Sequence, residues 1–293
     1  MKNYKAKKSL GQNFLKSEPA LRKIIEAGEI KKDDIILEIG PGTGALTNKL
    51  LETGIQVIAI EKDNRLFTFL ENKFSEQIKS GKLILRNEDI LNFQASAYSL
   101  KPSAYKIIAN IPYNITGAIL KKFLTEKYQP ELMVLMVQHE VARRIIARDP
   151  RHGGAGNKES ILSISVKAYG NPKLIMKVPA RYFSPAPKVD SAIISIKNIS
   201  RKAFEDYPPL LDKERAGVRF LSSPPPNLPL VKGEGNKIDE HKFWEIVKAG
   251  FAHKRKKLSS NLKGIIPETS LVKFGDKRPE NLELADWIAL ASA

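Results

Sequence analysis

The sequence predicts an α/β protein in which helices cover both faces of a mostly parallel sheet, followed by a small helical domain. Short runs rich in Ile, Leu and Val alternate with segments of helical periodicity through the first half of the chain. Near-continuous apolar strands of this kind are typical of a parallel sheet that is buried on both faces. After about residue 200 the alternation stops, and helical spacing returns only near the end of the chain.

The predicted elements follow one another without repeats. The first helix is "SEPALRKIIEAG", with Ser17 as its N-cap, Pro19 in its first turn and Gly28 at its end. Buried strands are predicted at "DIILEIG", "QVIAIEKD", "KLILRNEDIL", "YKIIAN" and "ELMVLMVQ", and helices at "ALTNKLLETG", "RLFTFLENKF", "GAILKKFLTEKY" and "HEVARRIIA". The segment "ILSISVKAY" fits either a strand or a helix. "KLIMKVPA" and "SAIISIKN" are close together, so we expect an antiparallel pair at the sheet edge.

Changes in composition divide the chain into three predicted regions. Residues 1–200 contain the sheet, and residues 201–237 form a linker. Within the linker, "SSPPPNLPLVKGEGN" (222–236) is rich in Pro and Gly and lacks periodicity, so we expect a disordered insertion. Residues 238–293 form the helical domain, with the apolar side chains of Phe243, Val247 and Phe251 at helical spacing and a last helix at "LELADWIALASA".

The composition favours a nucleic-acid partner. The formal net charge is +17 and the isoelectric point is about 9.8, which favours binding to phosphate backbones. RNA fits better than a membrane, because no long amphipathic basic helix and no apolar run of about 20 residues is evident. The chain has no cysteine, which excludes disulfides and thiolate chemistry and fits a cytoplasmic protein. Its four histidines are scattered, so we expect no metal site.

A glycine loop and two acidic residues predict a nucleoside-cofactor site. "EIGPGTGALT" places Gly40, Gly42 and Gly44 between the first predicted strand of the sheet and the helix that follows it. Glu61 ends the next strand, where a carboxylate can accept hydrogen bonds from ribose hydroxyls. Asp89 ends the third strand and is placed to accept from an adenine amine. The alternative is a tight turn beside two ordinary strand ends.

The spacing of the loop discriminates between two cofactors. NAD favours G-x-G-x-x-G with its pyrophosphate at the helix N-terminus, whereas this loop is G-x-G-x-G with Glu38 just before it. A carboxylate there suits the cationic sulfonium of S-adenosylmethionine better than a pyrophosphate. The sequence therefore predicts a Rossmann-like, S-adenosylmethionine-dependent methyltransferase sheet.

The motif "NIPYNIT" predicts how a methyl acceptor is held. Pro112 restricts the backbone, so the Asn110 amide, the Ile111 carbonyl and the Tyr113 ring are held rigidly at a strand end. Two acceptors aimed at an exocyclic amine favour a localised nitrogen lone pair, and the ring can stack on a flat base. Read alone, the motif also fits a rigid turn that ends a strand.

Taken together, these motifs resemble the KsgA family of small-subunit ribosomal RNA adenine dimethyltransferases, over nearly the whole chain. "KKSLGQNFL" resembles the N-terminal cofactor motif, which implies that Asn13 and Leu15 line the cofactor pocket together with Asn110. "YFSPAPKVDS" resembles a later motif, which implies that Phe183 packs on the target base opposite Tyr113.

The resemblance extends to the C-terminal part of the chain and implies the substrate. "FWEIVKAGFAHKRKKLSSNL" is similar to the family's RNA-contacting helix and contains Arg255, Lys256 and Lys257, which we expect to bind phosphates. The family implies two methyls on each of two adjacent adenosines near the 3′ end of 16S rRNA in an assembling subunit. We expect a monomer that acts without a membrane.

Two alternative functions stay open, and two segments of the sequence differ from the family pattern. The alternatives are an enzyme that methylates one adenosine of 23S rRNA, as in antibiotic resistance, and a non-catalytic assembly factor that binds RNA. "RDPRHGGAGNKES" replaces the usual loop near residues 149–160, and the Pro-rich stretch 222–236 is an extra insertion. Exact nucleotides, number of methyls and assembly stage do not follow from the sequence.

Overall fold

A computed structural model describes residues 6–98, 100–147, 158–205 and 237–292. The Pro-rich stretch 222–236 and most of the 149–160 loop lie outside these residues. The chain divides into two compact units. The first consists of Met1–Asn157 and Ser165–Ser200, and the second of Lys158–Ile164 and Arg201–Ala293.

The first unit contains a seven-stranded mixed sheet and a separate two-stranded sheet. The strands of both sheets are β1 Phe14–Leu15, β2 Ile35–Ile39, β3 Gln56–Ile60, β4 Leu83–Arg86, β5 Tyr105–Asn110, β6 Leu132–Gln138, β7 Asn171–Val178, β8 Phe183–Ser184 and β9 Ser191–Lys197. In the large sheet the order is β4-β3-β2-β5-β6-β9-β7. Strands β2 to β6 are parallel, and β9 pairs antiparallel with both β6 and β7. The predicted antiparallel pair at the edge is therefore confirmed.

The α-helices connect the strands and make up most of the second unit. They are α1 Glu18–Ala27, α2 Ala45–Glu52, α3 Asn64–Lys73, α4 Ser75–Lys79, α5 Thr116–Thr125, α6 His139–Ile145, α7 Ile161–Lys167, α8 Lys202–Glu205, α9 Glu240–Gly250, α10 Leu258–Asn261, α11 Glu268–Leu271 and α12 Leu284–Ala291. The ambiguous segment "ILSISVKAY" is resolved as helix α7. The described helices include none that is long and apolar enough to cross a membrane.

Local signals in the sequence account for these elements. Ser17 caps α1 by accepting a hydrogen bond from the Ala20 amide, and Gly28 follows its last residue, as predicted. Residues 36–39 of β2, 57–60 of β3 and 132–137 of β6 are buried in unbroken runs, which is the burial pattern of a sheet covered on both faces.

Packing around Trp287 organises the second unit. Its side chain is completely buried and stacks on Phe251, with ring centroids 5.4 Å apart. Gly250 lies against the same indole, since a Cβ at this position would come within 2.4 Å of Trp287. The last turn of α9 therefore packs on α12 through a residue that has no side chain.

Two short strands were not predicted. Strand β1 pairs antiparallel with β8, so that Phe14 faces Ser184 and Leu15 faces Phe183. Each strand has only two residues, too few for a period-two pattern to be recognised in the sequence. The pairing joins the "GQNFL" and "YFSP" motifs, which are about 170 residues apart in the chain.

Candidate active site

The predicted cofactor residues line one cavity of the first unit, at the carboxyl ends of β2, β3 and β5. Its wall is formed by residues 9–15, 38–43, 45–46, 60–62, 88–91 and 110–115, together with Leu21 and Leu66. The chain continues from β2 to β3 on one side of the sheet and from β5 to β6 on the other side, so the cavity lies between β2 and β5, where the strand order reverses. Ligands of open α/β sheets bind at this point.

The glycine loop owes its close packing to its lack of side chains. Gly42 and Gly44 both have positive φ angles, of 61° and 75°. A Cβ on Gly42 would lie 3.0 Å from the Phe14 ring, and one on Gly44 would lie 2.6 Å from the Phe74 ring. Two of the three glycines are therefore required by both backbone conformation and packing.

Glu61 follows the last residue of β3 and holds the glycine loop. Its carboxylate accepts hydrogen bonds from the Gly42 amide at 3.1 Å and from the Asp63 amide at 2.8 Å. Burial raises the pKa of Glu61, and the hydrogen bonds from Asp63 and Gly42 oppose that shift. Each carboxylate oxygen keeps a further lone pair, so the group can also accept from a bound hydroxyl.

Asp89 lines the cavity from a loop and not from a strand end, which corrects the prediction. Strand β4 ends at Arg86, three residues earlier. One Asp89 oxygen accepts from the Leu91 amide at 3.0 Å, and the other pairs with the Lys62 ammonium at 2.6 Å. The hydrogen bond from Lys62 is the main cause that lowers the pKa of Asp89.

Glu38 is a buried carboxyl in the cavity wall. Its side chain is almost completely buried, and its Oε2 has no hydrogen-bond partner among the described residues. Loss of solvation raises the pKa of Glu38 to about 8, and the nearby Glu61 carboxylate adds to this shift. A buried acid with a free oxygen is a site that a cationic ligand would stabilise.

The "NIPY" residues lie at the end of β5. Asn110 is the last residue of the strand, and its side-chain Nδ2 donates to the Asn13 carbonyl at 3.1 Å. This bond orients the amide, so that Oδ1 is left as the acceptor. Pro112 has an extended conformation, with φ −60° and ψ 130°, and Ile111 before it is buried. Tyr113 begins a short 3₁₀ helix, and its hydroxyl is hydrogen-bonded to the Ser191 hydroxyl.

The structure does not bring Phe183 into the cavity wall. Its ring is 4% exposed and belongs to the hydrophobic core together with Leu15, Val178 and Ile193. Asn13 and Leu15, in contrast, both line the cavity, and their contact with a cofactor stays a prediction. A contact between Phe183 and a target base stays a prediction, and it would require the ring to leave the core.

The basic residues of the second unit lie in a turn, not on the predicted helix. Helix α9 ends at Gly250, and α10 begins at Leu258. Arg255, Lys256 and Lys257 are exposed between these helices. Lys257 pairs with Asp276 at 2.7 Å. The apolar spacing of α9 continues to Phe251, which is why the sequence suggested a longer helix.

Four residues next to the predicted site were missed. Asp63 and Gln12 are joined by a 3.0 Å hydrogen bond, Ser191 holds Tyr113, and Lys62 pairs with Asp89. Only Asp63 had a signal in the sequence, as a potential helix N-cap two residues after Glu61. The others become visible only when distant segments meet. Among the described residues no group of three or more His, Cys, Asp or Glu is arranged to hold a metal ion.

Comparison with known proteins decides the family. Residues 3–210 match the model of a family described as ribosomal RNA adenine dimethylase. The chain belongs to this family. The enzyme is 35% identical to the ribosomal RNA small subunit methyltransferase A of Francisella tularensis over 297 residues, which cover 98% of this chain and 97% of that relative.

Other relatives agree with this assignment, and two solved structures share the fold. A protein of the same name from Dehalococcoides mccartyi is 33% identical over 97% of this chain and 86% of its own. Another, from strain CBDB1, is 44% identical over 192 residues, and this alignment spans only 62% of that relative. A dimethyladenosine transferase from Plasmodium falciparum has a similar fold, with a TM-score of 0.68, 24% identity and coverage of 94% of this chain and 95% of its own. The 23S rRNA methyltransferase ErmE has a TM-score of 0.65, 24% identity and coverage of 95% and 98%. At these identities the two structures show the shared fold and nothing finer.

Proposed function

We propose that the enzyme uses S-adenosylmethionine to dimethylate the N6 amine of two adjacent adenosines near the 3′ end of 16S rRNA. The observation that carries the proposal is the oriented amide of Asn110, which lies in the same cavity as the glycine loop and Glu61. The full-length relatives support the small-subunit target, since they are named small subunit methyltransferases. We further propose that it acts as a monomer in the cytoplasm on assembling subunits.

The residues of the cavity suit S-adenosylmethionine. Glu61 retains acceptor capacity for ribose hydroxyls, and Asp89 for the adenine amine. The buried Oε2 of Glu38 has no partner within the described part of the chain, which suits a positive charge. Asn13, Leu15, Gly40 and Gly42 would form the rest of the binding surface. S-adenosylmethionine supplies an electrophilic methyl group on a sulfonium.

The chain's own part in the reaction is to position and polarise the target amine. Because Asn110 Nδ2 is committed to the Asn13 carbonyl, Asn110 Oδ1 is free to accept a hydrogen bond from adenine N6. The Ile111 carbonyl would be the second acceptor, and the Tyr113 ring would stack on the base. Two acceptors on one amine favour a localised lone pair, so the effect is one of orientation and electrostatics.

Affinity for RNA would come mainly from positive charge. The formal net charge of +17 favours binding to a phosphate backbone, largely through counterion release. Arg255 and Lys256 are exposed and belong to the turn after α9, so they are free to contact phosphates in our proposal. Lys257 is less available, because Asp276 is close to its ammonium.

Two other functions make different predictions. A 23S rRNA methyltransferase would modify large-subunit RNA, and the fold alone is equally compatible with it. A non-catalytic assembly factor need not bind the cofactor. The Glu61 and Asp89 carboxylates in the cavity and the oriented Asn110 favour retained chemistry over a binding role alone.

Mapping methylated nucleotides tests the proposal directly. Small and large ribosomal subunits from a strain lacking this modification would be incubated with the enzyme and S-adenosylmethionine. We expect dimethylation of two adjacent adenosines near the 3′ end of 16S rRNA only, and no product with Asn110→Ala in the same time. Methylation confined to 23S rRNA would identify the first alternative, and absence of both product and cofactor binding would support the second.

A further inference from the structure

An N-terminal strap, defined as Lys7–Leu15, forms one wall of the cavity. Phe14 covers Gly42, where a Cβ would lie 3.0 Å from its ring. Gly11 packs against Asn114, whose Oδ1 is 2.9 Å from the position of a Cβ on that glycine. The strap thus contacts both the glycine loop and the turn that follows Asn110.

One buried carboxylate holds the start of this strap. The side chain of Asp63 is fully buried, and it accepts hydrogen bonds from Gln12 Nε2 at 3.0 Å and Lys7 Nζ at 3.2 Å. The side-chain amide oxygen of Gln12, Oε1, accepts a hydrogen bond from the Lys7 backbone amide at 2.8 Å. Arg65 of helix α3 donates to both oxygens of the same carboxylate, from Nη2 to Oδ2 at 2.7 Å and from Nε to Oδ1 at 3.1 Å.

Asp63 also acts on the cofactor side of the cavity. Its backbone amide donates to Glu61, so one residue joins the strap to the carboxylate proposed for the ribose. Outside the two-residue strand β1, the strap's backbone hydrogen bonds to described residues are few, such as those from the Leu10 and Gln12 amides to the Lys7 carbonyl. Terminal segments are poorly ordered unless they are tied to the fold. A buried carboxylate with charged partners is a strong tie, because separating the partners leaves a buried charge uncompensated.

We propose that Asp63 is a positioning residue whose carboxylate fastens the N-terminal strap, and thereby holds Asn13 and Leu15 in place as the cofactor's wall. The inference rests on the proposed binding of S-adenosylmethionine. Asp63 itself lies outside the cavity lining. Its role is therefore to act through the strap, and its effect should appear in cofactor binding before it appears in the rate at saturation.

The test compares Asp63→Asn, Gln12→Ala and the double variant, with Arg65→Gln as the matched control. Arg65 shares the same carboxylate but belongs to α3. Calorimetry with S-adenosylmethionine should show affinity about ten- to a hundredfold weaker for Asp63→Asn, the range for a lost charged hydrogen bond. Gln12→Ala should be weakened about tenfold, and the double variant no more than Asp63→Asn, because both changes release the same strap. Arg65→Gln should weaken affinity less than Gln12→Ala does, because Lys7 and Gln12 still hold the strap to Asp63 in that variant.

Two further measurements separate positioning from general stability. In the Asp63→Asn variant, KM for S-adenosylmethionine should rise while kcat at saturating cofactor stays within about threefold of the parent. Trypsin should cleave after Lys7 faster in this variant than in Arg65→Gln, and saturating cofactor should restore protection. Unchanged KM in Asp63→Asn and Gln12→Ala, or additive effects in the double variant, would overturn the inference. If Asp63→Asn does not fold, the cofactor affinity and KM of Gln12→Ala alone test the inference. If the parent itself does not bind S-adenosylmethionine, the proposed function fails instead.

Discussion

At the scale of single residues, the hydrogen bond from Asn110 to Asn13 determines which atom of the amide faces the substrate. With Nδ2 donating to the Asn13 carbonyl, Oδ1 is the available acceptor. We expect Asn110→Ala to lower the rate of methyl transfer about 10²–10³-fold, the cost of one lost positioned hydrogen bond at comparable sites. Single-turnover reactions at saturating cofactor and RNA measure this, and a parental rate would reduce "NIPYNIT" to a rigid turn.

Asn110→Asp provides a sharper variant of the same experiment. A carboxylate keeps an acceptor for the amine but cannot donate to the Asn13 carbonyl, which is 3.1 Å from Nδ2 in the parent. Two acceptors would then face each other, and the strap would be pushed away. We therefore expect weaker cofactor binding in addition to the slower rate, whereas Asn110→Ala should affect mainly the rate. Equal cofactor affinity in both variants would contradict this orientation of the amide.

Glu38 predicts a pH dependence of cofactor binding. Its pKa is raised to about 8 in the free enzyme, chiefly by burial, so below that pH the carboxyl holds a proton. A bound cation favours the carboxylate, so binding below pH 8 requires release of that proton. Affinity for S-adenosylmethionine should therefore rise with pH and level off above about 8. Calorimetry in buffers of different ionisation enthalpy would detect the proton release.

Glu38→Gln is the control for this pH dependence. The amide has the same shape and does not titrate, so its affinity should be lower and should vary less with pH. Folding stability depends on pH in the opposite direction to cofactor affinity. Between pH 4.5 and about 8 the unfolded chain ionises Glu38 while the folded enzyme keeps it protonated, so this group lowers stability as pH rises. Parallel pH curves for the parent and the variant would show that another group titrates.

At the scale of elements, strand β9 fixes the Tyr113 ring through Ser191, its first residue. Tyr113→Phe keeps the ring and removes the hydroxyl, and we expect turnover to fall roughly two- to tenfold, the value of one ordinary hydrogen bond. Ser191→Ala should have at least the same effect, since it leaves a buried hydroxyl unpaired. A double-mutant cycle checks the pairing, because additive losses would mean that the bond does not position the ring.

The turn between α9 and α10 is the element on which RNA binding can be tested with matched charges. Arg255→Ala with Lys256→Ala should reduce the salt slope of RNA binding by about 1.4–1.8, or about 0.7–0.9 for each lost phosphate contact. Cofactor affinity should not change. The control is Lys31→Ala with Lys32→Ala, which removes two exposed charges just before β2, at the end of the strands opposite the cavity. If the salt slope falls equally in both double variants, net charge alone accounts for the effect and the turn has no specific role.

At the scale of the whole molecule, substitutions of Phe183 are expected to change the stability of the fold as well as the proposed contact with the base. Its ring belongs to the core of the first unit, so Phe183→Ala should destabilise the fold by about 3–5 kcal/mol. Loss of activity in that variant would not reveal a contact with the base. Phe183→Leu keeps more of the buried volume and should destabilise the fold less than Phe183→Ala does. Thermal denaturation together with single-turnover rates tests whether Phe183 contacts the base. Slow turnover in a stable Phe183→Leu variant would support that contact.

The sequence by itself determined the elements of the sheet and the order of the cofactor motifs. Those features depend on short-range rules, such as apolar runs in β2 to β6, the Ser17 cap and the placement of Glu61 directly after a strand. Asp89 was assigned to the correct cavity but to the wrong element, because the strand ends three residues before it. The helix expected at residues 255–257 failed because apolar spacing does not mark where a helix stops.

Only the tertiary structure decided which distant groups meet. The bonds from Asn110 to Asn13, from Asp63 to Gln12 and Lys7, and from Tyr113 to Ser191 join residues between 51 and 97 positions apart. The pairing of β1 with β8 spans still more of the chain. Such contacts leave no periodic trace in the sequence, since each depends on the path of the backbone between its partners. The direction of the Asn110 amide, the raised pKa of Glu38 and the burial of Phe183 all follow from that packing, and the chemistry proposed for the site depends on them.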